Sequence, residues 1–206
     1  MQQRNVLEYL ENTVKRLPGK TAYEGEDSEL TFEQAYKSSR AIGSYIAAEA
    51  IYGEPVVIFM RKSPEAVAAF FGTVYGGCYY VPIDEEMPRM RIELILKSLD
   101  SKLMIVDEAT RAKAEQFDFD GRIVNYEEIS VLDEDKAALE DIRRRQLDTD
   151  PIYIVFTSGS AGIPKGVIAC HRSVIDYIEN LSAVLHFDED TRFGNQSPFY
   201  FDACLK

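Results

Sequence analysis

The stretch "PIYIVFTSGSAGIPKGV", Pro151–Val167, runs from an apolar segment into a loop with very little side chain and then back into extended sequence. Ile, Tyr, Val and Phe in one short run read as a buried strand. The loop, Thr157–Gly166, carries small residues, hydroxyls at Thr157, Ser158 and Ser160, and one cation, Lys165. Small residues let a backbone approach a ligand closely, and their N–H groups can converge on an anion. The hydroxyls can turn toward phosphate oxygens, and a lysine is a mobile point charge that suits a polyphosphate better than a planar carboxylate. Pro164 removes one donor and restricts the chain just before that lysine. The physical reading is a cradle for a nucleoside triphosphate. It is not the usual P-loop, because Lys165 precedes Gly166 and Val167-Ile168 continue as a strand rather than a helix. The plain alternative is a flexible glycine-rich hairpin loop with an exposed lysine.

Outward from this loop, strand-like and helix-like segments alternate. Val6, Leu7, Leu10, Val14 and Leu17 mark one helical face over Asn5–Leu17, stopped by Pro18-Gly19. Thr31 and Gln34 have the spacing of a capping box ahead of a long helix. "EPVVIFM" reads as a buried strand, and Ser63-Pro64-Glu65 as a helix start whose helix ends at Gly76-Gly77. "CYYVPI" is a further strand, then a helix from about 89 to 99, then strands in "KLMIVD" and "RIVNY". Residues 133–150 form a charged, helix-like stretch expected as a solvated face or connector. "GVIAC" resumes extended structure before a helix over His171–Leu185. The pattern predicts an α/β fold with a parallel-rich sheet and flanking helices.

Composition narrows the classes. The chain has 206 residues, 46% apolar and 28% charged, enough for a substantial core. A net charge of −12 without clustered Lys and Arg disfavours nucleic acid and anionic membranes as partners. Cys78, Cys170 and Cys204 are odd in number and show no CxxC pair, so neither a disulfide framework nor a zinc site is expected. The amphipathic start lacks the apolar core of a signal peptide, and no run approaches the roughly 20 residues of a membrane span. The expectation is a cytoplasmic protein. Gly76-Gly77 with Tyr79-Tyr80 read as structural, and His171 as a packed or capping histidine rather than a base.

"YIVFTSGSAGIPKGV" closely resembles the phosphate-loop signature of the adenylate-forming ligases, the superfamily of acyl-CoA synthetases, luciferases and amino-acid adenylation domains. Two further stretches agree in order. "VYGGCYYVPIDEEMPRMRIELIL" resembles the "AGGAYVPIDPxxPxxR" segment of the amino-acid-adenylating members, and "PFYFDACLK" resembles their "FDxS" segment. The resemblance implies that Thr157, Ser158, Gly159, Ser160, Gly162, Lys165 and Gly166 receive the β- and γ-phosphates of ATP. Ala161 departs from the usual Thr or Ser and removes one hydroxyl, worth about 0.5–1.5 kcal/mol as a net hydrogen bond. It also implies that Asp202 pairs with the α-ammonium of an amino acid, a role in which a carboxylate at the edge of an apolar site is physically apt.

The implied activity is activation of an amino acid with ATP and Mg2+ as an aminoacyl-adenylate, followed by transfer to a thiol of a carrier protein or CoA. Stand-alone D-alanine–carrier-protein ligases and modules of peptide-synthesising assembly lines share this layout. Three alternatives stay open: an acyl-CoA synthetase acting on a carboxylic acid, a non-catalytic nucleotide- or phosphate-binding module, and an interaction or scaffold domain that keeps the motif as a structural loop. The family's adenine-binding aromatic segment, ribose-binding Asp, magnesium Glu and C-terminal lid with its catalytic Lys are not found. The chain is therefore expected to be the N-terminal part of the large domain, residues 1–206, cut soon after Asp202 and inactive alone. No catalytic residue and no metal ligand is assigned within it.

Overall fold

A computed structural model describes residues 3–49, 51–157 and 164–201. In chain order the elements are α1 (Leu7–Arg16), β1 (Thr21–Glu24), β2 (Glu29–Thr31), α2 (Phe32–Ala48), β3 (Pro55–Phe59), α3 (Pro64–Tyr75), β4 (Tyr79–Pro82), α4 (Arg89–Ser98), β5 (Leu103–Val106), α5 (Arg111–Ala114), β6 (Arg122–Asn125), α6 (Tyr126–Ile129), α7 (Lys136–Arg145), β7 (Pro151–Thr157), β8 (Lys165–Cys170) and α8 (His171–Leu185). The main sheet has six strands in the order β6-β5-β3-β4-β7-β8, parallel from β6 through β7, with β8 antiparallel to β7. The expected parallel-rich α/β sheet with flanking helices is what forms.

Burial on both faces explains why β3 and β5 are continuous apolar runs. Val56 and Ile58 belong to one core with α1, α2, α3, α7 and α8, while Val57 and Phe59 belong to a second core with α4. The helix starts read from the sequence are formed: Thr31 and Gln34 make a reciprocal capping box, and Ser63 Oγ accepts from the Ala66 N–H with Pro64 at the first helical position. Gly77, at φ +76° just past α3, turns the chain toward β4 in a conformation that few L side chains adopt.

The short helices α5 and α6 are absent from the sequence reading, which places Tyr126 in a strand, and two larger features also differ. β1 and β2 form a small antiparallel hairpin where the sequence predicts no strand, since "TAYEGEDSELT" is short and polar and pairs through Tyr23↔Leu30. α7 is more than a solvated connector: Leu139 and Ile142, three apart, are both buried, Leu139 within the first core, and Arg143 pairs with Glu11 of α1 at 3.1 Å. Its charged residues cover a docked helix. No helix among the described residues is long and apolar enough to cross a membrane.

Candidate functional site

The two ends of the loop sequence, Thr157 and Lys165, lie at the closed end of the β7–β8 hairpin. Phe156 pairs with Gly166 and Thr157 with Lys165, which closes the β7–β8 ladder at the C-terminal edge of the parallel strands. Thr157 Oγ1 donates to the Lys165 carbonyl at 3.4 Å across that closure. Thr157, Lys165 and Gly166 are exposed, whereas Pro164 is buried and pins the loop's return. Gly166 also has a packing reason to be small: a Cβ there would lie 2.8 Å from Ile154 Cγ2 and 3.4 Å from Phe156 Cζ. Ser158, Gly159, Ser160 and Gly162, with Ala161, lie outside the described residues.

The second candidate segment reaches the same edge by a different route. α3 follows β3 into the first core and α4 follows β4 into the second, so adjacent strands send their connections to opposite faces. Such a divergence leaves a crevice at the strand ends, the usual ligand position in open α/β sheets. Here Ile58, Met60 and Lys62 from the end of β3 face Pro82, Ile83 and Asp84 from the end of β4, with Phe199 and Tyr200 between them. The Phe199 ring stands edge-on to Phe70 at 5.2 Å, and Lys62 Nζ lies 5.8 Å over Phe199. Lys62 Nζ also donates to the Asn195 carbonyl at 2.5 Å. Tyr200 packs against the second core, as does Phe156 at the end of β7. Phe199 and Tyr200 are thus seated at the C-terminal edge of the sheet, against the ends of β3 and β4. Asp202 itself, with Ala203 and Cys204, lies outside the described residues.

Sequence reasoning misses three contributors to this edge: Lys62, Asp84 and Arg91. Lys62 stands just past a strand end, where a polar residue carries no local signal. Asp84 and Arg91 enter only as the Asp and the last residue of the "PIDPxxPxxR" pattern, yet Arg91 Nη2 donates to the Phe156 carbonyl at 3.0 Å.

His171 sits at the other end of the hairpin, beyond the Pro151↔Cys170 pair. It is 1% exposed, its Nδ1 accepts from the Val6 N–H at 3.2 Å, and burial, aided by Arg143, pushes its pKa down to about 4. That is a packed neutral imidazole, as expected, remote from the loop. Cys78 and Cys170 are free thiols, and burial pushes Cys78 up to about 11. Among the described residues no three His, Cys, Asp or Glu side chains converge as a metal site.

Comparison with known proteins agrees with this architecture. The family described as AMP-binding enzyme matches residues 10–205. A component of the mycosubtilin synthase of Bacillus subtilis is 30% identical over 98% of this chain, which spans 8% of that protein. A D-alanine–D-alanyl carrier protein ligase of Listeria welshimeri is 28% identical over 98% of the chain, which spans 40% of its length. A solved nonribosomal peptide synthetase, FmoA3 in its alpha-methyl-L-serine-AMP bound form, superposes over 100% of this chain and 22% of its own with a TM-score of 0.85 at 21% identity, a likeness of fold. With the motifs in order, the sheet formed and nearly the whole length matched, the chain belongs to the AMP-binding enzyme family.

Proposed function

We propose that residues 1–206 are the N-terminal part of the large domain of an AMP-forming ligase, and that the whole protein activates an amino acid with ATP for transfer to a thiol. The observation that supports this most is convergence: Thr157 and Lys165, the two ends of the loop sequence, and Phe199-Tyr200, shortly before Asp202, lie at one edge of one sheet. The chain spans well under half the length of the relatives it matches. Edge strand β8 presents Val167 and Ile168 at 50% and 58% exposure, which fits a sheet layered over by further chain.

In the proposed reaction an oxygen of the substrate carboxylate attacks the α-phosphorus of ATP, the bond to the bridging oxygen breaks, and pyrophosphate departs. Lys165, Thr157 and the Ser158, Gly159, Ser160, Gly162 and Gly166 backbone would hold the charge that grows on that leaving group. Asp202 would orient the amino acid through its ammonium. The part proposed for this chain's own residues is phosphate contact and substrate orientation, and Mg2+ would accompany the ATP. The acyl acceptor is a carrier-protein thiol or CoA; the carrier is favoured by the name of the Listeria relative.

Lys165→Ala in the full-length protein is expected to weaken ATP binding about tenfold, as loss of one charge-assisted phosphate contact. Thermal stability should hold, because Lys165 is exposed. Equilibrium titration with ATP measures the first and a melting curve the second. Unchanged affinity would leave the motif as a structural hairpin. Asp202→Ala should abolish activation of the amino acid; activity retained on a simple carboxylic acid would instead favour an acyl-CoA synthetase.

A further inference from the structure

Arg91 lies in the first turn of α4, next to Ile92, which is fully buried in the second core. Its helix is therefore fixed against the sheet. From there the guanidinium reaches the carbonyl of Phe156, the residue before the loop, through Nη2 at 3.0 Å. Its Nε is enclosed and has no partner among the described residues, so solvent does not compete for this side chain at that atom. The β4–β7 ladder pairs Tyr80 with Tyr153, and β4 ends at Pro82, so Phe156 stands beyond the end of the strand that supports β7 on that side. A charged donor on α4 takes over where the ladder stops. Neighbouring Arg89 is engaged elsewhere: it pairs with Glu93 at 2.7 Å, donates to the Gln116 carbonyl at 2.9 Å and lies over Phe117.

We propose that Arg91 is a positioning residue that fixes the stem of the Thr157–Gly166 loop by holding the Phe156 carbonyl. The claim rests on the phosphate-loop reading for its functional consequence, but the brace itself can be read without any ligand. A guanidinium suits the task because it presents several donors in a fixed plane and stays charged.

The test compares Arg91→Met, Arg91→Lys and, as a control, Arg89→Met in the full-length protein. Amide hydrogen exchange is followed in the hairpin end, with tripolyphosphate titrated in parallel. Arg91→Met is expected to speed exchange at Phe156–Thr157 and Lys165–Val167 about tenfold and to raise the Kd for tripolyphosphate by a similar factor. Arg91→Lys should restore part of both, and Arg89→Met should change neither. Hairpin exchange unchanged in Arg91→Met overturns the brace. Exchange raised across the whole second core, with no rescue by Lys, overturns it in favour of a general packing role. Faster local exchange in a chain whose wild type binds no tripolyphosphate overturns the phosphate-loop reading, and with it the positioning role, while showing the brace to be real.

Discussion

Gly72→Val is expected to lower the unfolding free energy by about 3 kcal/mol, the upper end of the usual range for overpacking a well-filled interface. Gly72 of α3 lies against α2, where an added Cβ would stand 2.6 Å from both Cβ and Cγ2 of Ile42 and 3.1 Å from the Ser39 carbonyl. The contact is reciprocal. A Cβ on Gly43 of α2 would meet Tyr75 Cβ at 2.5 Å, and one on Gly76 would meet Ile46 Cγ2 at 2.5 Å. The two helices therefore touch nearly backbone to backbone. The clashing atoms are the stems of Ile and Tyr side chains, and β-branched Ile in a helix has essentially one χ1 choice. No flexible tip can swing aside, so the helices must separate. Valine recovers only part of the roughly 1 kcal/mol by which glycine is disfavoured in a helix, far less than the clash costs. Gly19→Ala is the control, since a Cβ there meets nothing within 4 Å. Denaturant titration at unchanged m-value should show a large fall in midpoint for Gly72→Val and almost none for Gly19→Ala.

Acid should release a second contribution of about 3 kcal/mol, centred on His171. Its imidazole is buried at the start of α8, accepts the Val6 N–H and ties the entry of α1 to α8. Burial disfavours the imidazolium first and Arg143 adds repulsion; Asp150 and Asp148 oppose the shift without cancelling it. Asp148 is itself held by Arg172, with contacts of 2.8–3.0 Å. The folded-state pKa of about 4 lies below the ordinary value of 6.5, so the unfolded chain takes up a proton first as pH falls. Stability from this group is accordingly complete above pH 6.5 and lost between 6.5 and about 4. His171→Gln removes the titrating group. The stability difference between wild type and His171→Gln should favour wild type most near pH 7 and shrink by about 3 kcal/mol by pH 4. A difference that stays constant over that window would mean that the buried imidazole is not held neutral.

What the sequence makes legible follows local chemistry. β3 and β5 can be read because strands buried on both faces must be apolar throughout, and α2 and α3 because Thr31 and Ser63 carry their caps in the adjacent residues. The β7–loop–β8 unit is legible from Thr157–Gly166 alone. Less is visible where the deciding partner is distant in sequence. Arg91 and Phe156 are 65 residues apart, and Lys62 and Asn195 are 133 apart. Nothing around either basic residue marks it for that role. The docking of α7 through Leu139 and Ile142 is hidden by its surrounding charges, and the β1–β2 hairpin by its polarity. Thr157, Lys165 and Gly166 are placed at the sheet edge, Asp202 and the middle of the loop lie outside the described residues, and the phosphate and ammonium roles of all of them are proposals from the motif.

The most direct measurement of the central claim is amino-acid-dependent exchange of pyrophosphate into ATP by the full-length protein, run across the amino acids with D-alanine included. The proposed function predicts a strong response to one amino acid or a closely related set, lost in Asp202→Ala. Silence with every amino acid, alongside exchange supported by simple carboxylic acids, would contradict it.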